Sequence, residues 1–314
     1  MDGEREKVWF GSGGTQCAAW HYQGSNGGCV IMAGGFAVTK EAGTDLFARR
    51  FAAAGFSVLA FDYRHLGESG GQPRQVVRVR EQLADWSAAI GFAASLAEVD
   101  PARLAAWAFS ASGGYMFTLA ARDARLAAAI AQTPNADNVA AARNAARYQK
   151  PGAMLRFLGR ALLDSAGGLA GRPPRLVPLS AEPGTVAVVT TPDSAQGDAA
   201  LGRSGEWQRE VAARSALRLT MSRPGRAAAQ VRCPLLLVVC DQDTTALAGP
   251  AVQAARRAPG AELVRLPGGH YAPFLDAHEQ AVETELSFLR RSLLGEPEPG
   301  QSAAAAADAA PRRA

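Results

Sequence analysis

The chain has 314 residues, enough for one large α/β domain with an insertion or for two smaller domains. Hydrophobic residues make up 48% and charged residues 20%, which supports a packed core and excludes wholesale disorder. The net charge of +4 comes from arginines dispersed among acids, not from a basic patch interleaved with aromatics, and no apolar run approaches the roughly 18 residues of a membrane span, so neither nucleic acid nor a membrane is expected as a partner.

Met1–Lys7 is charged with no apolar segment behind it, so the expected location is the cytoplasm. Val8–Phe10 and Gln16–Trp20 read as two short strands joined by the turn Gly11–Gly14. Cys29–Ala33 is an apolar, branched run and reads as a buried strand, broken by Gly34-Gly35. A helix capped by Thr44 or Asp45 follows, running to Ala54. Val58–Phe61 is the next strand, and Tyr63–Arg74 is a loop. Gln75–Leu96 carries apolar residues at helical spacing. Arg103–Ala108 reads as a strand, Gly113–Ala121 as a helix and Leu126–Ala131 as a strand. This alternation predicts an α/β fold with a mostly parallel central sheet, helices covering both faces.

The rhythm stops between residues 135 and 230. Helical patches such as Trp207–Leu217 are broken by Pro151, Pro173-Pro174, Pro178, Pro183 and Pro192, the pattern of an inserted cap. Alternation resumes with Leu235–Val239, a helix near Ala251–Arg257, Glu262–Leu266 and a last helix over His278–Leu293. The expected organisation is a core of residues 1–134 and 231–294, a cap of 135–230, and a disordered tail of 295–314 rich in Pro, Gly and Ala.

The chemistry points to the turn Trp107-Ala108-Phe109-Ser110-Ala111-Ser112-Gly113-Gly114, where a predicted strand runs straight into a predicted helix. A nucleophile held on such a strained turn needs small residues two before and two after it; Ala108 and Ser112 satisfy this for Ser110. Ser112 is the rival nucleophile, and the end of the strand favours Ser110. The Ala111 N–H would open a helix, where donors are unpaired and the dipole favours an anion. A serine needs a base and the base needs a carboxylate. Of the four histidines, His270 stands directly after the last predicted strand, whereas His21, His65 and His278 fall in the hairpin, in a loop and on a surface helix. Asp241-Gln242-Asp243 follows the preceding strand. The chain order Ser, Asp, His is the order this layout requires.

With these residues in view, the chain resembles the α/β-hydrolase superfamily, and small bacterial members with a helical cap in particular, some of them from natural-product gene clusters. Gly34-Gly35-Phe36 resembles the oxyanion loop, Asp62-Tyr63-Arg64-His65-Leu66-Gly67-Glu68-Ser69 the D-x-R-G-x-G-x-S region, Ala108–Gly114 the elbow, and Gly268-Gly269-His270 the histidine loop. The resemblance implies Asp243 as the acid, with Asp241 holding the loop through backbone N–H groups, and the N–H groups of Phe36 and Ala111 as the oxyanion hole. Gly34 replaces the usual loop histidine, a change expected to loosen the loop.

The reading is a cofactor-free serine hydrolase acting on an ester, thioester or lactone, with Ser110 as nucleophile, His270 as base and Asp243 as acid. The expected partner is a medium-sized, mostly apolar acyl substrate; association with further copies of the chain is left open. No metal is expected, because no Cys or His spacing suits one, and the four cysteines read as buried small apolar residues. Two alternatives stand beside it. One is a natural-product tailoring enzyme using the same residues: an acyl-eliminating lyase, cyclase or acyltransferase. The other is a non-catalytic binding protein on a hydrolase scaffold. Further candidates are the Asp62–Glu68 pair, rim residues Arg64 and His65, and the cap stretches Thr190–Asp193 and Trp207–Arg214 as pocket lining.

Overall fold

The computed structural model describes residues 5–202 and 207–297. Residues 298–314, most of the expected tail, lie outside the described residues. β1 (Arg5–Ser12) and β2 (Thr15–Tyr22) form the expected hairpin, longer than the pattern suggested, and its tight turn is Gly13-Gly14 with both φ values positive. β3 (Cys29–Ala33) is wholly buried, as its unbroken apolar run requires. It is followed by α1 (Thr44–Ala53), β4 (Ser57–Phe61), α2 (Val79–Ala93), β5 (Leu104–Phe109), the short α3 (Ser110–Gly113), α4 (Tyr115–Arg122) and β6 (Leu126–Gln132).

Three local expectations change here. Gly43, not Thr44 or Asp45, is the N-cap of α1, because the chain enters at φ 72°. Asp45 instead lies in the first turn and accepts from Arg5 at 2.8 Å and Arg49 at 2.7 Å. The helix expected from Gln75 starts only at Val79. Gln75 has φ 58°, and its side chain reaches away to the carbonyls of Gln208 and Glu210 at 3.1 and 2.5 Å. His278, expected at the surface, packs edge-on against Phe47 and bonds the Pro273 carbonyl at 3.0 Å.

Between β6 and the next core strand the chain forms α5 (Asn138–Ala145), α6 (Pro151–Leu169), β7 (Leu176–Pro178), α7 (Ser194–Leu201), β8 (Glu210–Ala212), α8 (Ala213–Leu219) and a 3₁₀ segment over Pro224–Gln230. The helix expected over Trp207–Leu217 is thus split: its first half pairs as β8 with β7, and only its second half is helical. Buried Asp164 knits this region together. It accepts the backbone N–H of Arg175 at 2.7 Å and of Arg214 at 2.9 Å, and pairs with the Arg214 guanidinium. The core resumes with β9 (Leu235–Cys240), α9 (Ala248–Ala255), β10 (Ala261–Leu266) and α10 (His278–Leu289).

The main sheet has eight strands in the order β1-β2-β4-β3-β5-β6-β9-β10. From β4 to β10 every pairing is parallel, and β2 is antiparallel to both neighbours. α1 and α10 share one face, where Phe47 lies against Trp107 and the Trp107 indole N–H donates to Glu285 at 2.9 Å. α2 and α4 share the other, joined by the Tyr115 hydroxyl to Gln82 at 2.8 Å. After β3 the chain steps to β4 on one side and then returns to β5 on the other. That reversal parts the loops leaving β3 and β5 and opens a crevice at their carboxyl ends, the place where such sheets bind ligands.

Candidate active site

Both loops at that crevice carry the residues singled out by sequence. Ser110 follows β5 directly, at φ 59°, in the left-handed region that non-glycine residues rarely occupy. The turn tolerates this because its neighbours are small. A Cβ on Gly113 would stand 3.0 Å from the Gln132 carbonyl and 3.1 Å from that of Ala108. The Ser110 carbonyl is held by the N–H groups of Asn135 at 2.9 Å and Gly114 at 3.1 Å. Ser112, the rival, is buried at 1% exposure and does not line the crevice.

His270 Nε2 lies 2.9 Å from Ser110 Oγ, and His270 Nδ1 lies 2.7 Å from Asp243 Oδ2. The imidazole and the carboxylate are both buried. The other Asp243 oxygen accepts the N–H groups of Thr245 at 2.8 Å and Ala246 at 2.6 Å, an Asx turn that fixes the carboxylate. Burial presses the His270 pKa downward. The charge of Asp243, its hydrogen bond and the charge of Asp193 outweigh that and hold it above the ordinary histidine value.

The Gly34–Phe36 loop crosses the same crevice. A Cβ on Gly34 would sit 2.5 Å from the Val38 carbonyl, and one on Gly35 would sit 3.0 Å from the Phe109 ring and 3.3 Å from Ser110 Cβ. Glycine at 34 lets the loop fold back on the Val38 carbonyl, and glycine at 35 lets it pass beside Ser110. The expectation that the loop is slack without its histidine is not what the packing gives. The Trp207 indole N–H donates to the Ala37 carbonyl at 2.9 Å. Lys40, fully buried, donates from Nζ to Asp62 at 2.9 Å and Glu68 at 2.6 Å, and from its backbone N–H to Asp62 at 2.8 Å. Phe36 and Ala111 both line the crevice, and Ala111 is the second residue of α3, where an N–H has no acceptor inside the helix.

Ser110 opens into a cavity of about 300 Å³. Its walls are mainly apolar, from Ala141 and Ala145 of α5, Met154, Phe157 and Leu158 of α6, and Leu217 of α8. Thr190 and Thr191 line it as expected, but no residue of Trp207–Arg214 does. Trp207 instead braces the Ala37 carbonyl, and Arg214 pairs with Asp164.

Other candidates are drawn elsewhere. Asp62 and Glu68 are taken up by Lys40 and brace the turn. Arg64 pairs with Asp85, and His65 with Glu81 at 3.1 Å. Asp241 does not hold the acid loop: half-exposed, it pairs with Arg265 at 2.7 Å. That task falls to Asp193, which accepts the Thr244 N–H at 2.7 Å and hydroxyl at 2.6 Å from across the insertion. A Cβ on Gly269 would lie 2.5 Å from the Asp193 carboxylate, so the histidine loop closes against it too. Asp193 was legible only as a member of a polar stretch; the run Asp243-Thr244-Thr245 was the local sign of an Asx turn. Cys17, Cys29 and Cys240 are buried, and burial pushes the Cys240 thiol up to about 12. Among the described residues, no three His, Cys, Asp or Glu side chains gather as metal ligands.

This fold and this site define a class. Residues 29–284 match the sequence profile of the alpha/beta hydrolase family, and the chain belongs to that family. It is 36% identical over 289 residues to the quorum-quenching protein AidA of Acinetobacter baumannii, covering 90% of this chain and 94% of that protein. It is also 36% identical to the thiohydrolase aneE of Aspergillus aculeatus, over 110 residues that make up 35% of each chain. Among solved structures, the α/β hydrolase GrgF from a Penicillium species superposes with a TM-score of 0.77 at 24% identity, covering 93% of this chain and 99% of that one. At that identity the likeness speaks for the fold alone.

Proposed function

We propose that the protein is a cofactor-free serine hydrolase that cleaves a carboxylic ester, thioester or lactone through an acyl-enzyme on Ser110. The observation that carries this reading is the hydrogen-bonded chain from Ser110 through His270 to Asp243, at 2.9 and 2.7 Å, at the floor of an apolar cavity. In the proposed reaction His270 Nε2 takes the Ser110 proton as Oγ attacks the carbonyl carbon. The Phe36 and Ala111 N–H groups hold the oxyanion. His270 then returns the proton to the leaving oxygen or sulfur. Water, deprotonated by the same imidazole, releases the acid. Asp243 keeps Nδ1 protonated and stabilises the imidazolium. The 300 Å³ cavity and its alanine and leucine walls suit a medium-sized apolar acyl group. The insertion between β6 and β9 acts as a cap over it. Relatives named thiohydrolases support including thioesters.

A second reading keeps Ser110 but passes the acyl group to an acceptor other than water. It is favoured by a relative, a polyketide transferase of Stachybotrys chlorohalonatus, 31% identical over 182 residues. A pure binding protein would have no chemical need for all three aligned side chains. A fluorophosphonate probe should label wild-type protein and the Ser112→Ala variant but not Ser110→Ala. Turnover in oxygen-labelled water should place the label in the released acid. Labelling that persists in Ser110→Ala would overturn the nucleophile, and acid free of label would favour transfer.

A further inference from the structure

Helix α8 is a wall between two cavities. Leu217 and Thr220 face the Ser110 cavity, whereas Arg214 and Arg218, one turn apart, face a second and larger one of about 740 Å³. That second cavity lies between the Gln72–Arg78 segment and the end of α6. Five arginines line it, Arg74, Arg78, Arg172, Arg214 and Arg218, with no carboxylate among the described lining residues. Two of the five are answered: Arg78 by Glu81 at 2.7 Å and Arg214 by Asp164 at 3.3 Å. Among the described residues Arg74 donates to the carbonyls of Ser69 and Gly67 and has no carboxylate at hydrogen-bond range, although the Asp62 charge acts on it from further away. Arg172 and Arg218 are exposed and form no ion pair with any described residue.

Three guanidinium groups with no ion-pair partner at hydrogen-bond range among the described residues face one concave space and focus a positive field into it. Guanidinium forks match phosphate oxygens in pairs, and the volume is that of a site for a small organic ligand. The cavity is also tied to the reaction site. Gln75 holds the Gln208 carbonyl at 3.1 Å, and the neighbouring Trp207 donates to Ala37, the residue after Phe36. We infer that this cavity binds the phosphate groups of an organic phosphate, independently of the chemistry at Ser110.

Calorimetric titration of the whole protein tests this. Coenzyme A and inorganic pyrophosphate should bind, and pantetheine, which has the thiol arm but no phosphate, should not. Affinity for coenzyme A should fall about tenfold for each of Arg172→Ala and Arg218→Ala and should weaken with added salt. Absence of binding by both phosphate probes, or binding indifferent to Arg172→Glu and Arg218→Glu, overturns the site. Failure of the hydrolase reading would show elsewhere, as fluorophosphonate labelling independent of Ser110.

Discussion

His270 is buried, and burial alone would favour its neutral form, yet Asp243 and Asp193 together hold its pKa above the ordinary value. In the proposed reaction the imidazole must be neutral to take the Ser110 proton. Activity is therefore lost as pH falls through the raised pKa, and the acid limb of kcat/KM should have its midpoint above about 6.5. Asp193→Asn removes one of the raising charges, so the midpoint should move down; a midpoint that stays put or rises would contradict the assignment. His21→Ala, His65→Ala and His278→Ala should leave the limb in place, whereas His270→Ala should remove both the limb and turnover. Asp243→Asn keeps the shape but leaves the imidazole without its anion. A loss of about 10⁴-fold in turnover is expected, the size seen when the corresponding residue is changed in serine proteases. Asp241→Asn only loosens a half-exposed pair with Arg265, so its turnover should stay near wild type.

Two elements carry buried titratable groups whose replacement has opposite signs. The loop after β3 is pinned where Lys40 meets Asp62, both fully buried. Lys40→Met leaves the Asp62 carboxylate without its cation, which should cost about 3–5 kcal/mol of stability, read from the denaturant midpoint. Because the same loop carries Phe36, kcat should fall as well; wild-type stability and rate in this variant would show that the pair does not hold the loop. On α10, Glu285 accepts from the Trp107 indole through one oxygen, while the other has no partner among the described residues. Burial drives its pKa well above the usual carboxylate range, against the smaller lowering by Trp107. The folded state thus binds a proton that the unfolded chain releases above about pH 4.5, so this residue's contribution to stability falls as pH rises from there. Glu285→Gln keeps the acceptor and cannot ionise. It should melt higher than wild type at pH 7, with the gain vanishing near pH 4; a lower melting temperature at pH 7 would rule this out.

For the whole molecule, packing moves both boundaries of the proposed cap. The sequence placed it at residues 135–230, but the Asn135 N–H holds the Ser110 carbonyl at 2.9 Å, which ties the first of these residues to the core. The 3₁₀ segment Pro224–Gln230 instead lies against α4 and α9, with Gly225 N–H on the Ala136 carbonyl at 2.9 Å. We place the cap at residues 137–222. Replacing that stretch by a short linker should leave a folded sheet that melts in one transition and still turns over short acyl esters weakly. Extending the cut to residue 230 should lower the melting temperature further, because it strips the cover from α4. A shorter deletion that cannot fold would make the segment part of the core.

The sequence determined the alternation of strand and helix, because period and punctuation are local: the apolar run of Cys29–Ala33 and the breaks at Gly34 and Gly55 need no partner to be read. It also determined the order Ser110, Asp243, His270 at three strand ends, since a sheet brings its carboxyl ends to one rim whatever lies between them. Tertiary structure alone decided the rest. Gln75 leaves the helical pattern because carbonyls more than 130 residues away claim its side chain. Asp193 supports the acid loop from a different segment of chain, and Asp241 is drawn off by Arg265. Trp207, which looked like pocket lining, holds the Ala37 carbonyl. The five arginines of the second cavity are scattered through 145 positions and form a cluster only once α6, α8 and the Gln72–Arg78 segment meet. A buried polar group takes whichever partner the packing presents, and spacing along the chain carries no record of that choice.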